Sequence, residues 1–190
     1  MRAFAATVVV ILLVTGVTLI GYARWTGTLE TADAALADGR YEQAAAAYQT
    51  AEARFDAVPA MKQFLPIEHT RAIGNHLLAL YRLQRYDEVI ELAQKAPAAA
   101  QPNFWSACAF FQKAIVEESP EARLGWLSRA EEEFRKAIEA SPEDWDTKFD
   151  YELTTRLASE LRRQPNTPPK QMMQLLRPPT AGAKPPRRIG

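Results

Sequence analysis

The stretch LSRAEEEFRKAIEASP at 127–142 decides the fold. Its small and aromatic residues recur at a spacing that brings Ala130, Phe134 and Ala137 onto one side of a helix, and a proline closes it. Two earlier segments follow the same scheme. GRYEQAAAAYQTA at 39–51 places Tyr41, Ala44, Tyr48 and Ala51 in the corresponding order, and QRYDEVIELAQKA at 84–96 places Tyr86, Ala93 and Ala96. Small residues at such positions let paired helices approach closely, and the rings fill the gaps between successive pairs. The alanines at 51, 96 and 137 are separated by 45 and 41 residues. The excess stretches carry Pro59 and Pro66, then Ser119 and Pro120, so the added residues are expected in loops or at helix ends.

Working outward, residues 26–163 are rich in Ala, Leu, Glu, Gln and Arg and show no alternating strand pattern, so an all-α fold is expected. Three apolar stripes recur at helical spacing: Ile73, Leu77 and Leu80; Phe104, Cys108, Phe111 and Ile115; and Trp145, Phe149, Leu153, Leu157 and Leu161. Ser141 followed by Pro142, Glu143 and Asp144 reads as a helix start with Ser141 as the cap. That last helix, running to about Arg163, would cover the exposed apolar side of the final pair.

Residues 3–22 carry no charge. As a helix they reach about 30 Å, the thickness of the hydrocarbon layer, so one transmembrane span is expected, with a cleaved secretory signal ending near Gly21, Tyr22 and Ala23 as the competing reading. Either way the remainder is delivered across a membrane, and it is expected outside the cytoplasm, in a bacterial periplasm. The expected organisation is therefore an anchor at 1–25, a helical repeat domain at 26–163 and a tail at 164–190. The tail holds seven of the 13 prolines, and its basic residues Lys170, Arg177, Lys184, Arg187 and Arg188 meet no acid, so it reads as extended and disordered.

The 23 basic and 23 acidic side chains cancel, but unevenly: the first 25 residues carry +2, the middle segment 16 bases against 23 acids, and the tail +5. Zero net charge argues against nucleic acid as a partner. The basic tail could fold back on the acidic third repeat, with Met172, Met173, Leu175 and Leu176 as an apolar anchor, dock on an acidic partner, or bind anionic lipid.

Chemistry is hard to assemble from this inventory. His69 and His76 lie about two helical turns apart, too far for one metal, and Cys108 sits in an apolar stripe with no base beside it. No phosphate loop or Ser-His-Asp arrangement is present, so no enzyme, metal or cofactor is expected. A binding surface is expected instead. Arg71, Asn75, Leu78 and Arg82 share the face opposite Ile73, Leu77 and Leu80, and two guanidinium groups flanking an amide suit a carboxylate or acidic peptide.

The three copies resemble the second helices of tetratricopeptide repeats, which implies a short α-solenoid whose concave side presents that face. Together with the apolar head and the stretch EFRKAIEASPEDWDTKFDYEL at 133–153, the chain resembles the MxaK-like small membrane-anchored repeat proteins encoded beside MoxR-type AAA+ ATPases and von Willebrand A-domain proteins in methanol-oxidation gene clusters. The resemblance implies a non-catalytic, single-pass inner-membrane adaptor that helps assemble or activate a periplasmic enzyme such as methanol dehydrogenase. Its partners would be the ATPase, the A-domain proteins or the dehydrogenase. A structural envelope component, whose basic tail binds anionic lipid or polymer, is the other reading.

Overall fold

Gly39 turns the chain between the first two helices, and its φ of +73° is the left-handed conformation that ends a helix most cheaply at glycine. The Arg40 amide donates to Ala35 O at 2.8 Å and the Gly39 amide to Leu36 O at 3.0 Å, satisfying carbonyls that the helix end would otherwise orphan. Forty-five residues later Gln84, at φ 61°, repeats the turn: the Arg85 amide donates to Leu80 O and the Gln84 amide to Tyr81 O, both at 3.0 Å. An arginine and then a tyrosine opening the next helix follow each turn.

The structure is a computed structural model that describes residues 2–163, with side chains from Ile11 onward. Among the described residues the secondary structure is helical and no strand occurs, so the fold is all-α. The chain divides into two compact units, Met1–Pro102 and Asn103–Gly190. The first contains α1 (Arg2–Ala37), α2 (Tyr41–Ala57), the short α3 (Ala60–Phe64), α4 (Pro66–Arg82) and α5 (Tyr86–Ala93), then a 3-10 turn at Ala98–Ala100. Helices α1 and α2 form one hairpin and α4 and α5 another, with α4 packed on both α1 and α2. Ala32, Ala35, Ala44, Ala72 and Ala79 are all but inaccessible, which is what close helix approach requires. Tyr48, Phe55, Leu29, Leu77 and Val89 fill the space between them, each contributing about 1.5–3 kcal/mol of burial. Trp25 meets Phe55 edge-on at 5.7 Å, and Tyr81 meets Tyr86 across the second hairpin at the same ring separation.

The repeat register survives as a pattern of burial. Ala44, Val89 and Ala130 occupy corresponding positions and are fully buried; Tyr48, Ala93 and Phe134 correspond likewise and are 0, 5 and 2% exposed. Ala51 and Ala137 are buried too, while Tyr41 and Tyr86 are half-buried at helix starts. Ala96 lies outside its expected helix, because α5 stops at Ala93 and Pro97, in an extended conformation, blocks continuation. The third copy differs as well. It lies inside a longer helix, and Gly125, the counterpart of Gly39 and Gln84, is helical rather than a turn. Of the excess residues, the first set builds α3 instead of a bare loop, and Pro66 then opens α4.

The second unit contains α6 (Pro102–Val116), α7 (Pro120–Ala140) and α8 (Trp145–Arg163). Ser119 caps α7, its hydroxyl accepting from the Ala122 amide at 3.3 Å, with Pro120 in the first turn. Arg123 is fully buried and donates to Glu117 O at 2.7 Å and Glu118 O at 3.3 Å, so its charge holds the α6–α7 connection from inside. Ala107 packs with Ala130 and Phe134, while Ala114, Ile115 and Leu127 pack with Leu157, Ala158 and Leu161 of α8.

Two sequence expectations for α8 are corrected. Ser141 ends α7, its amide donating to Ala137 O, and α8 is instead capped by Asp144. The Asp144 carboxylate accepts from the amides of Asp146 and Thr147 at 3.1 and 3.3 Å and from the Thr147 hydroxyl at 2.7 Å. The apolar stripe is also only half used. The buried side is set by Thr147, Thr154, Leu157, Ala158 and Leu161, and at 100° per residue Trp145 and Phe149 point about 160° away from Thr147. They are 73 and 67% exposed.

Helix α1 runs without interruption through the boundary expected at residue 25. From Ile11 to Ile20 its large apolar side chains are more than half exposed, whereas Thr26, Leu29, Ala32 and Ala35 are buried in the unit. Among the described residues no helix is long and apolar enough to cross a membrane. The tail residues Lys170, Arg177, Lys184, Arg187 and Arg188, with the apolar cluster at 172–176, lie outside the described residues.

Candidate interaction surface

The face of α4 carrying Arg71, Asn75, Leu78 and Arg82 meets α1 through a carboxylate. Asp33 accepts hydrogen bonds from Asn75 Nδ2 at 2.9 Å and from the Tyr48 hydroxyl, and its second oxygen lies 3.6 Å from Arg71 Nε. Sequence reasoning placed Tyr48 in the packing set and had no signal for Asp33, which is one of two acids on α1, with Glu30. Tyr48 is completely buried, and burial, then its bond to Asp33, raises its phenol well above the usual range. The Arg71 side chain remains 44% exposed and that of Asp33 30% exposed, so this cluster opens to solvent at one edge. Leu78 is half-buried and Arg82 exposed. Of the four expected groove residues, then, Arg71 and Asn75 converge on a carboxylate of the protein's own, and Arg82 extends the same face toward the end of α4. Tyr22 adds a second α1–α4 link by donating to Glu68 at 3.0 Å.

Behind α4, a pocket of about 90 Å³ is lined by Glu42, Ala45, Ala46 and Gln49 of α2, by His76, and by Arg85 and Glu88 at the start of α5. His76 is 8% exposed, and its Nδ1 lies 2.7 Å from Glu52 Oε1. Arg85 grips Glu88 through two bonds of 2.6 Å and reaches Glu42 at 3.3 Å, which holds Glu88 below the usual carboxylate range. These are solvated pairs of small energetic weight, about 1 kcal/mol or less each. His69 is elsewhere, edge-on to Phe55 at 5.0 Å, with burial lowering its basicity. Among the described residues no group of three or more His, Cys, Asp or Glu is placed to hold a metal ion.

No protein-family model, curated protein sequence or solved structure matches the chain.

In the second unit, Phe110 of α6 stacks on Trp126 of α7 with ring centroids 5.8 Å apart. Lys113 Nζ sits 4.4 Å and Arg129 Cζ 4.9 Å from the Trp126 ring, so the indole is flanked by two cations. Cys108 lies close to the cluster of Ala107, Ala130 and Phe134, and burial, followed by the nearby charge of Asp150, pushes its thiol up to about 12. A thiol so far from ionisation is a small hydrophobe at neutral pH.

Proposed function

We propose that this protein is a non-catalytic helical-repeat adaptor of the tetratricopeptide type, held at a bacterial inner membrane by its apolar head, whose α1–α4 face docks a protein partner outside the cytoplasm. The observation that carries the reading is the duplicated hairpin. Gly39 and Gln84 adopt the same turn at equivalent positions, and the residues five and nine positions after each, Ala44 and Tyr48 in one hairpin and Val89 and Ala93 in the other, are buried. Stacked hairpins of this kind earn their stability by nearest-neighbour packing and leave one face for binding.

The anchor is supported by residues 3–22, which carry no charge, and by the exposure of Ile11, Leu12, Leu13, Val14, Val17, Leu19 and Ile20 around the whole circumference of α1. An apolar helix exposed on every side needs a cover that water does not provide. The partner class follows from the face itself. The edge of the cluster presents Arg71, with Arg82 on the same side of α4, and two guanidinium groups there suit a carboxylate-bearing peptide segment. The MxaK-like resemblance supplies candidates: an AAA+ ATPase, von Willebrand A-domain proteins or a periplasmic dehydrogenase.

The test is affinity capture from solubilised membranes with the wild-type chain, Arg82→Glu, and Arg71→Glu with Arg82→Glu. Recovery of one of those candidates by the wild type, with loss in both variants at unchanged helicity, is the expected result. Equal recovery by all three chains refutes the face as the docking site, and recovery of none of the candidate classes refutes the assignment.

A further inference from the structure

The exposed pair Trp145 and Phe149 stands out because α8 has a full core face without it. The two rings project from one side of the helix, one turn apart, with Lys148 Nζ 4.5 Å from the Trp145 ring. The ground around them is acidic. Between 143 and 152 lie Glu143, Asp144, Asp146, Asp150 and Glu152 against the single base Lys148, and beyond them Arg156, on the same side of α8 as the rings, pairs with Glu152 at 2.8 Å. Burial, then the neighbouring charges of Asp146 and Asp144, raises the Asp150 carboxyl.

We propose that the chain's own C-terminal segment covers this surface, with the apolar cluster Met172, Met173, Leu175 and Leu176 seated on Trp145 and Phe149 and the basic residues around it facing the acids of 143–152. Three considerations support that occupant over others. The first is reach: Phe149 is 14 residues before the end of α8, about 21 Å of helix, and the nine residues from Arg163 to Met172 span up to about 30 Å when extended. The second is charge: Lys170 and Arg177 bracket the apolar cluster and the segment after residue 163 carries no acid, which complements the acids of 143–152. The third is composition: methionine and leucine adapt to an open aromatic surface, and a tethered segment binds as an intramolecular partner at high effective concentration. The contact makes the tail a built-in competitor for any partner that uses the α8 surface.

Limited trypsin digestion of the purified full chain reads the contact directly. Lys170–Gln171 lies just before the cluster and is cleavable, whereas Arg177 and Lys184 precede proline and are resistant; Arg187–Arg188, outside the cluster, serves as the internal reference. Cleavage after Lys170 should be roughly tenfold slower in the wild type than in Trp145→Ala with Phe149→Ala, and than in Leu175→Ser with Leu176→Ser, while the reference site is cut equally in all three. The second variant leaves α8 intact, so the result does not depend on how α8 tolerates substitution. Equal cleavage after Lys170 in all chains overturns the proposal. So does protection that grows with protein concentration, which assigns the surface to a second copy, or protection that requires anionic phosphatidylglycerol vesicles, which assigns the tail to lipid.

Discussion

Exchanging residues at the two hairpin turns should move stability in opposite directions. Gly39 and Gln84 occupy the same left-handed conformation at φ 73° and 61°. An L-residue there suffers contact between its Cβ and the backbone that glycine avoids, roughly 1–2 kcal/mol. Glycine gives back about 0.4–1 kcal/mol through the greater freedom of its unfolded chain. Gln84→Gly should therefore stabilise by about 0.5–1 kcal/mol, and Gly39→Gln should destabilise by a similar amount. Side-chain contacts do not confuse the comparison. A Cβ at residue 39 would have only Tyr41 Oη within reach, at 4.0 Å, and the Gln84 side chain is exposed. For a unit of about 100 residues such changes shift the midpoint by several degrees, measurable by circular dichroism on the full chain. Destabilisation by Gln84→Gly, or indifference to Gly39→Gln, would show that the two turns are not equivalent and would remove the main support for a repeated hairpin.

Two further outcomes are expected. Asp144→Ala should cost about 1 kcal/mol in urea unfolding and Ser141→Ala little, since only the aspartate caps α8. The Cys108 thiol should resist Ellman's reagent at pH 8 until the protein unfolds. With its folded pKa raised to about 12, its contribution to stability is present below the ordinary thiol range and is lost as pH rises from there toward 12, which a Cys108→Ala comparison of alkaline unfolding would reveal as a shallower decline.

Much of the helical architecture is legible in the sequence because it rests on local regularities. Small and aromatic residues at helical spacing fix which sides of α2 and α7 are buried, the aliphatic stripe Ile73, Leu77 and Leu80 does so for α4, and the Gly39 turn is written in its residue type. Gln84 is not, because nothing about glutamine announces a left-handed conformation; only its alignment with Gly39 does. The apolar period of α8 was misleading for a related reason. Trp145, Phe149 and Leu153 continue the stripe of Leu157 and Leu161, yet threonines at 147 and 154 take the core side, and a hydroxyl satisfied within the helix, as Thr154 donates to Asp150 O at 2.7 Å, packs there without penalty. The cap moved from Ser141 to Asp144 because both residue types suit the role and only backbone geometry selects between them. At the candidate surface, Arg71 and Asn75 were legible as sharing a face, but Asp33, which gathers them, comes from a different helix 38 residues earlier than Arg71, and no periodicity connects the two.

That α1 passes unbroken from its bare apolar half into the packed half ties azimuth to depth. Whatever grips the first half also dictates the compass direction in which Asp33, and with it the Arg71 face, looks. One residue inserted near Arg24 would swing that bearing by about 100° while advancing it only about 1.5 Å. In such an arrangement the head acts less as a tether than as a keyed shaft.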